Sequence, residues 1–361
     1  MTTRRSFLRG MGASAAGGCV LCGMRRAAAQ GAQRRQVSID GQRVKTIDIH
    51  CHCATPEVAP LVAGTPIEAR VAGTIRSQVN NPPLEKRIAA MDEQGIDVEA
   101  MSINAWWYGL ERDRARRVID LQNEKLAAMC KQAPDRLVAF ATVALQFPEL
   151  AAEQLEVAVR QMGLRGAAIG GNVNGEELSN PKFDPFWKKA EELQALLFMH
   201  PQDSDVATGI APRVKGYGAL GNVIGNPLET TICLSRLIMD GTLDKFPNLK
   251  IAFAHGGGYL PSYAARMDHG CTVSPDSCKG QGPKKKPSEY LRQIYVDSLI
   301  FTGEGLRHLV AECGASQIMI GTDYGFPWVK DPVGHVMTTP GLSNADKVAI
   351  LGGTAAKLLR L

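Results

Sequence analysis

From about residue 45 onward, short apolar and often β-branched runs alternate with stretches whose apolar positions recur at helical spacing. The runs predict strands over 45–51, 98–104, 137–145, 166–171, 196–200, 250–255, 294–298 and 317–323. The periodic stretches predict helices over 83–94, 112–132, 150–162, 185–194 and 302–313, and one over 227–245 before the sixth strand. Eight strands separated by helices, several of them nearly continuous apolar runs, describe a parallel sheet covered on both faces and closed into a (β/α)8 barrel. The competing open sheet would carry a glycine-rich phosphate turn after its first strand, and that turn is absent. Two long connections, 54–79 and 324–339, show no clear periodicity; both follow residues of metal-binding type and are expected to cover a site.

The first residues follow a different pattern. Thr3-Arg4-Arg5-Ser6-Phe7-Leu8-Arg9 precedes a weakly apolar Gly/Ala-rich zone and the small residues Ala27-Ala28-Ala29. This order of charged, apolar and small zones predicts a twin-arginine export signal over 1–29, a polar linker over 30–44 and a single barrel domain over 45–361, and hence a periplasmic protein. No later stretch reaches the roughly twenty apolar residues of a membrane span. The full chain carries a formal charge of +5, and the signal contains five arginines and no acid, so the remainder is neutral. Nucleic acid is therefore not an expected partner. Seven cysteines remain after the signal, an odd number without regular spacing, and only Cys271 and Cys278 lie close enough in a loop to suggest a pair.

The chemistry gathers at strand ends. Ile47-Asp48-Ile49-His50-Cys51-His52 places two imidazoles on one side of a strand and Cys51 on the other. His200 ends the fifth predicted strand, His255 the sixth and Asp323 the eighth, so four of the seven histidines and an aspartate share one rim. In a barrel that rim is where function resides. Imidazoles with one carboxylate suit Zn2+, and also Mn2+ or Fe2+, better than Mg2+ or Ca2+. Asp297 ends the seventh strand, where it either supports a ligand imidazole or caps a helix. Trp106 and Trp107, after the second strand, either line a pocket or pack in the core.

Phe198-Met199-His200-Pro201-Gln202-Asp203, Ala252-Phe253-Ala254-His255-Gly256-Gly257-Gly258 and Gly321-Thr322-Asp323-Tyr324-Gly325-Phe326-Pro327 resemble signatures of the decarboxylase branch of the amidohydrolase superfamily, nearest to its aminocarboxymuconate-semialdehyde decarboxylases. The resemblance implies a distorted TIM-type barrel with one Zn2+ held by His50, His52, His200 and Asp323, plus a water that His255 orients or deprotonates. It also implies an arginine, at Arg266, that reaches across a homodimer interface to a substrate carboxylate. Gln202 departs from the aromatic residue of the resembling family. The expected activity is release of CO2 from a small aromatic or dienoic carboxylic acid, with His255 and Asp323 catalytic. The alternatives are a metal-dependent hydrolase opening a lactone or ester, and a non-catalytic periplasmic metal-binding protein.

Overall fold

The computed structural model describes residues 34–76, 82–202, 209–214, 216–280, 282–326 and 328–361; the export signal expected over 1–29 lies outside them. The eight barrel strands are Ile47–His52, Val98–Ser102, Leu137–Ala139, Gly166–Ile169, Leu196–Met199, Lys250–Phe253, Tyr295–Asp297 and Ile318–Met319. The first three form one parallel sheet and the other five a second. Isolated parallel bridges join the sheets at both seams, Ala141 with Ala167 and Asp48 with Ile320. The ring is thereby complete.

The inner layer consists of small and apolar side chains, among them Ile47, Ile49, Ala100, Phe140, Phe198 and Ala252, and the C-terminal helix Thr354–Leu359 adds Leu358 and Leu359 to it. A larger cluster fills the layer between strands and helices, where Cys51, Met101, Leu197 and Trp187 pack. The first strand slips register between Asp48 and Cys51. Ile49 packs with the inner layer and Cys51 with the outer one, and the irregularity lets His50 and His52 face inward while Asp48 groups with Cys51 and Glu99. Buried there, Asp48 is pushed up to about 8 by desolvation and by the neighbouring Glu99, and it accepts from Thr322 Oγ1 at 2.5 Å.

Several elements differ from the sequence expectation. The segment read as a polar linker holds an antiparallel hairpin, Ser38–Ile39 with Gln42–Arg43, around Asp40-Gly41, both at positive φ. The helix expected over 227–245 is two, Asn226–Met239 and Thr242–Lys245, broken at Gly241 with φ 76°. The aperiodic connections contain the helices Ala59–Val62, Glu68–Arg76 and Pro332–Thr338. Past the third strand Phe140 N and Ala141 N still donate to the Met101 and Gly166 carbonyls, and from there side chains take the donors: Asn123 Oδ1 accepts from Thr142 N at 2.8 Å and Gln154 Oε1 from Ala144 N at 2.9 Å. Cys271 and Cys278 form a disulfide at the end of the helix Leu260–Val273. Among the described residues no helix is long and apolar enough to cross a membrane.

Gly166 sits where the fourth strand meets the fifth, at φ +155°, and a Cβ there would run into the Leu196 carbonyl. Gly166→Ala is expected to lower stability by about 1–3 kcal/mol, read as an earlier denaturant midpoint. An unmoved midpoint would show that the two strands can separate freely.

Candidate active site

The first strand delivers His50 and His52; His200 follows the fifth strand and Asp323 the eighth. His50 Nε2 lies 3.2 Å from His52 Nε2, while Asp323 Oδ1 stands 2.7 Å from His52 Nε2 and 3.3 Å from His50 Nε2. With His200 added, one donor atom from each of the four lies within 4.8 Å of the others, and all four residues are buried. His200 Nδ1 has no hydrogen-bond partner among the described residues.

Lone pairs converging at these distances need a positive charge between them, and the burial and charges of the four groups point the same way. Burial alone would push the His50 imidazole down, yet the Asp323 carboxylate and the hydrogen bonds to Asp297 and Asp323 lift it to about 10. Burial opposes the ionised Asp323, and His50 and His52 nonetheless hold it far below the usual carboxylate range. Burial pushes His52 and His200 down, leaving neutral imidazoles of the kind that ligate metals. Three imidazoles and one carboxylate therefore fit a single first-row divalent ion.

Asp297 holds this set in place. Its Oδ2 accepts from His50 Nδ1 at 2.6 Å and from the His255 backbone at 3.0 Å, and its Oδ1 accepts from Gly256 N at 2.8 Å and Leu299 N at 3.1 Å. The Nδ1–H bond fixes the tautomer that turns the His50 Nε2 lone pair towards the other ligands. His255 ends the sixth strand in the left-handed region, φ 57°, and Asp323 shares that conformation at φ 58°. Two non-glycine residues held there within one site are the kind of local strain that marks function. The His255 ring centroid lies 5.2 Å from those of His50 and His200, and its Nδ1 is unpartnered among the described residues. Desolvation, and then the neighbouring His50, push it down to about 4.

The cluster opens onto a cleft of about 140 Å3, where Arg70, Asn104, Gln202 and Phe326 join His200 and Asp323. Arg70 donates to the Gln202 carbonyl at 3.0 Å. The buried Glu229 ties down the loops after the fourth and fifth strands, accepting from Gly171 N, Asn172 Nδ2 and Gln202 N, each at 3.2 Å. A larger hollow of about 760 Å3, lined by Arg43, Lys45 and Lys357, involves none of these residues.

The structure thus brings together His50, His52, His200, His255, Asp297 and Asp323. It does not bring in the other three residues singled out from the sequence. Arg266 is exposed on the helix Leu260–Val273 and, among the described residues, has no hydrogen bond or ion pair to the cluster. Trp107 is wholly buried with its Nε1 donating to the Val143 carbonyl at 2.7 Å, and Trp106 packs edge-on against it in the same core. Arg70, Asn104 and Phe326 escaped the sequence reading. The only signal for Arg70 was the expectation that the connection 54–79 covers the site.

A parallel barrel with a His/Asp metal site at the carboxyl end of its strands defines a class of metal-dependent enzymes. The Amidohydrolase family profile matches residues 47–361. A 2-amino-3-carboxymuconate-6-semialdehyde decarboxylase of Dictyostelium discoideum is 30% identical over 88% of this chain and 84% of its own length. A gamma-resorcylate decarboxylase of a Polaromonas species is 29% identical over 77% of this chain and 87% of its own. The crystal structure of a dihydroxybenzoic acid decarboxylase from Polaromonas, with bound manganese and the inhibitor 2-nitroresorcinol, superimposes with TM-score 0.73 at 26% identity, covering 88% of this chain and 97% of that one. The 5-carboxyvanillate decarboxylase of Sphingomonas paucimobilis shares the fold, with TM-score 0.78 at 23% identity over 88% of this chain and 99% of the other. The chain belongs to the amidohydrolase family. It is a metal-dependent enzyme of that superfamily's decarboxylase branch.

Proposed function

We propose that the chain is an exported decarboxylase that releases CO2 from a small aromatic or dienoic carboxylic acid. The observation that carries this reading is the four-ligand cluster opening onto a cleft of one-ring size. A cavity of about 150 Å3 can hold benzene, and the cleft measures about 140 Å3. The decarboxylases to which the chain is similar support the same reaction class.

His50, His52, His200 and Asp323 would hold the ion. Zn2+ is the ion the donor set favours, and the same donors suit Fe2+ or the Mn2+ found in the Polaromonas structure. Such an ion supplies Lewis acidity and brings the pKa of a water from about 15.7 towards 7. Decarboxylation breaks the bond between the carboxylate carbon and its neighbour, leaves CO2, and needs one proton on the vacated carbon. His255, beside the ligands and with its Nδ1 unpartnered among the described residues, is the group that moves this proton. Asp323 aids it as a ligand that also carries negative charge beside both histidines. Arg266, exposed on its helix, would reach the substrate carboxylate of a second copy in a homodimer. Residues 1–29 would direct the chain through the twin-arginine route to the periplasm, a compartment in which the Cys271–Cys278 disulfide persists.

Chelation followed by re-addition of metal tests the reading. CO2 release from such acids is expected to vanish with the ion and to return near one Zn2+ or Mn2+ per chain. Full turnover by the metal-free protein would refute it.

A further inference from the structure

The hollow of about 760 Å3 lies at the other end of the barrel from the metal cluster, and its volume falls in the range of about 300–1,000 Å3 usual for small-molecule sites. Lys45 lines it just before the first strand and Gln317 just before the eighth, so it opens where the strands begin. One wall is built from residues 39–45, the end of the hairpin and the turn into the barrel. These residues lie outside the stretch 47–361 that the Amidohydrolase profile matches, so this wall is an addition to the family's barrel. The facing wall is the π-helix Ala349–Gly353, a backbone form that gathers at functional sites. Gly352 lets the two walls approach closely, since a Cβ there would run into the Lys45 carbonyl.

The charges of this hollow do not balance. Arg43 is engaged by Asp97 at 2.6 Å, and Asp40, the one acid among the described lining residues, accepts from Asn344 Nδ2 at 2.9 Å. Lys45 and Lys357 are exposed, and neither side chain has an ion pair or hydrogen bond among the described residues. Positive charge accumulates behind them: Lys250 is pushed down by burial and then by the charges of Arg360 and Lys357. Ile39, Val44, Val348 and Leu358 add apolar surface to the same lining. We propose that the hollow is a second ligand site, which takes a small organic phosphate: a dianion for Lys45 and Lys357, with an apolar body for Ile39 and Val348. A single exposed ion pair stabilises little, so the ligand must meet both lysines and cover apolar surface as well. No residue lines both this hollow and the metal cleft, so the site is separate from the chemistry at the metal.

Calorimetric titration of the metal-loaded protein with phenyl phosphate tests this, set against benzenesulfonate, which keeps the ring but carries one charge, and inorganic phosphate, which keeps the charge but has no apolar body. Phenyl phosphate is expected to bind more tightly than either. The double variant Lys45→Gln/Lys357→Gln is expected to weaken that binding by about tenfold or more, through loss of two charge-assisted contacts, with metal content and denaturant midpoint unchanged because both side chains are exposed. Lys45→Arg/Lys357→Arg keeps both charges and is expected to retain the affinity. Binding that the glutamine variant keeps in full would belong to the metal cleft and would overturn the proposal. Equal affinity for phenyl phosphate and either control, or no binding of phenyl phosphate at all, would overturn it as well.

Discussion

Replacing His255 with asparagine is expected to lower kcat by about 10²–10⁴, the usual contribution of a positioned proton-transfer group, while metal content stays at the wild-type level. The substitution isolates chemistry from structure for two reasons. His255 holds φ 57°, a region that asparagine tolerates better than most residues, so the backbone that follows can keep its course. His255 also lies outside the four ligands, whose donor atoms converge without it. Its backbone N–H, which donates to Asp297, is untouched by the change. Single-turnover CO2 release alongside metal analysis makes the measurement. A kcat within threefold of wild type would reduce His255 to a residue that only orients its neighbours.

Asp297→Ala is expected to weaken metal binding by about 10- to 100-fold, the range for loss of a carboxylate supporting a ligand imidazole. It is also expected to cost about 3–5 kcal/mol of stability, as when one partner of a buried ion pair is removed. The same carboxylate, itself wholly buried, answers His50 Nδ1 and three backbone N–H groups. Asp297→Asn separates the two effects. An amide oxygen can still accept from the backbone, but its NH2 cannot accept from His50 Nδ1. Stability should therefore recover further than metal affinity. Equal recovery of both would show that the His50 tautomer does not govern the metal.

The barrel and the meeting of His50, His52, His200 and Asp323 at one rim were legible because each rests on short-range pattern. Buried parallel strands must be nearly continuous apolar runs, and strand ends such as His50-Cys51-His52 and Ala254-His255-Gly256 announce their chemistry in a few residues. The cleft was not legible. Arg70, Asn104, Gln202 and Phe326 come from four separate connections, and nothing local records that they meet. Trp106 and Trp107 show the opposite failure: an aromatic pair after a strand fits a pocket wall and a core equally well, and the Trp107–Val143 hydrogen bond decides for the core. The hairpin at Asp40-Gly41 and the break at Gly241 carried turn signals outweighed by the surrounding polar or helical composition. The bulge between Asp48 and Cys51 had no sequence signal, yet it keeps Asp48 out of the metal cluster.

Turnover of a carboxyl-13C-labelled aromatic or dienoic acid in D2O tests the central claim most directly. One labelled CO2 per substrate consumed, with one deuteron fixed at the vacated carbon, is the expected result. A product that keeps the labelled carbon and gains the elements of water would contradict it and make the same metal centre that of a hydrolase.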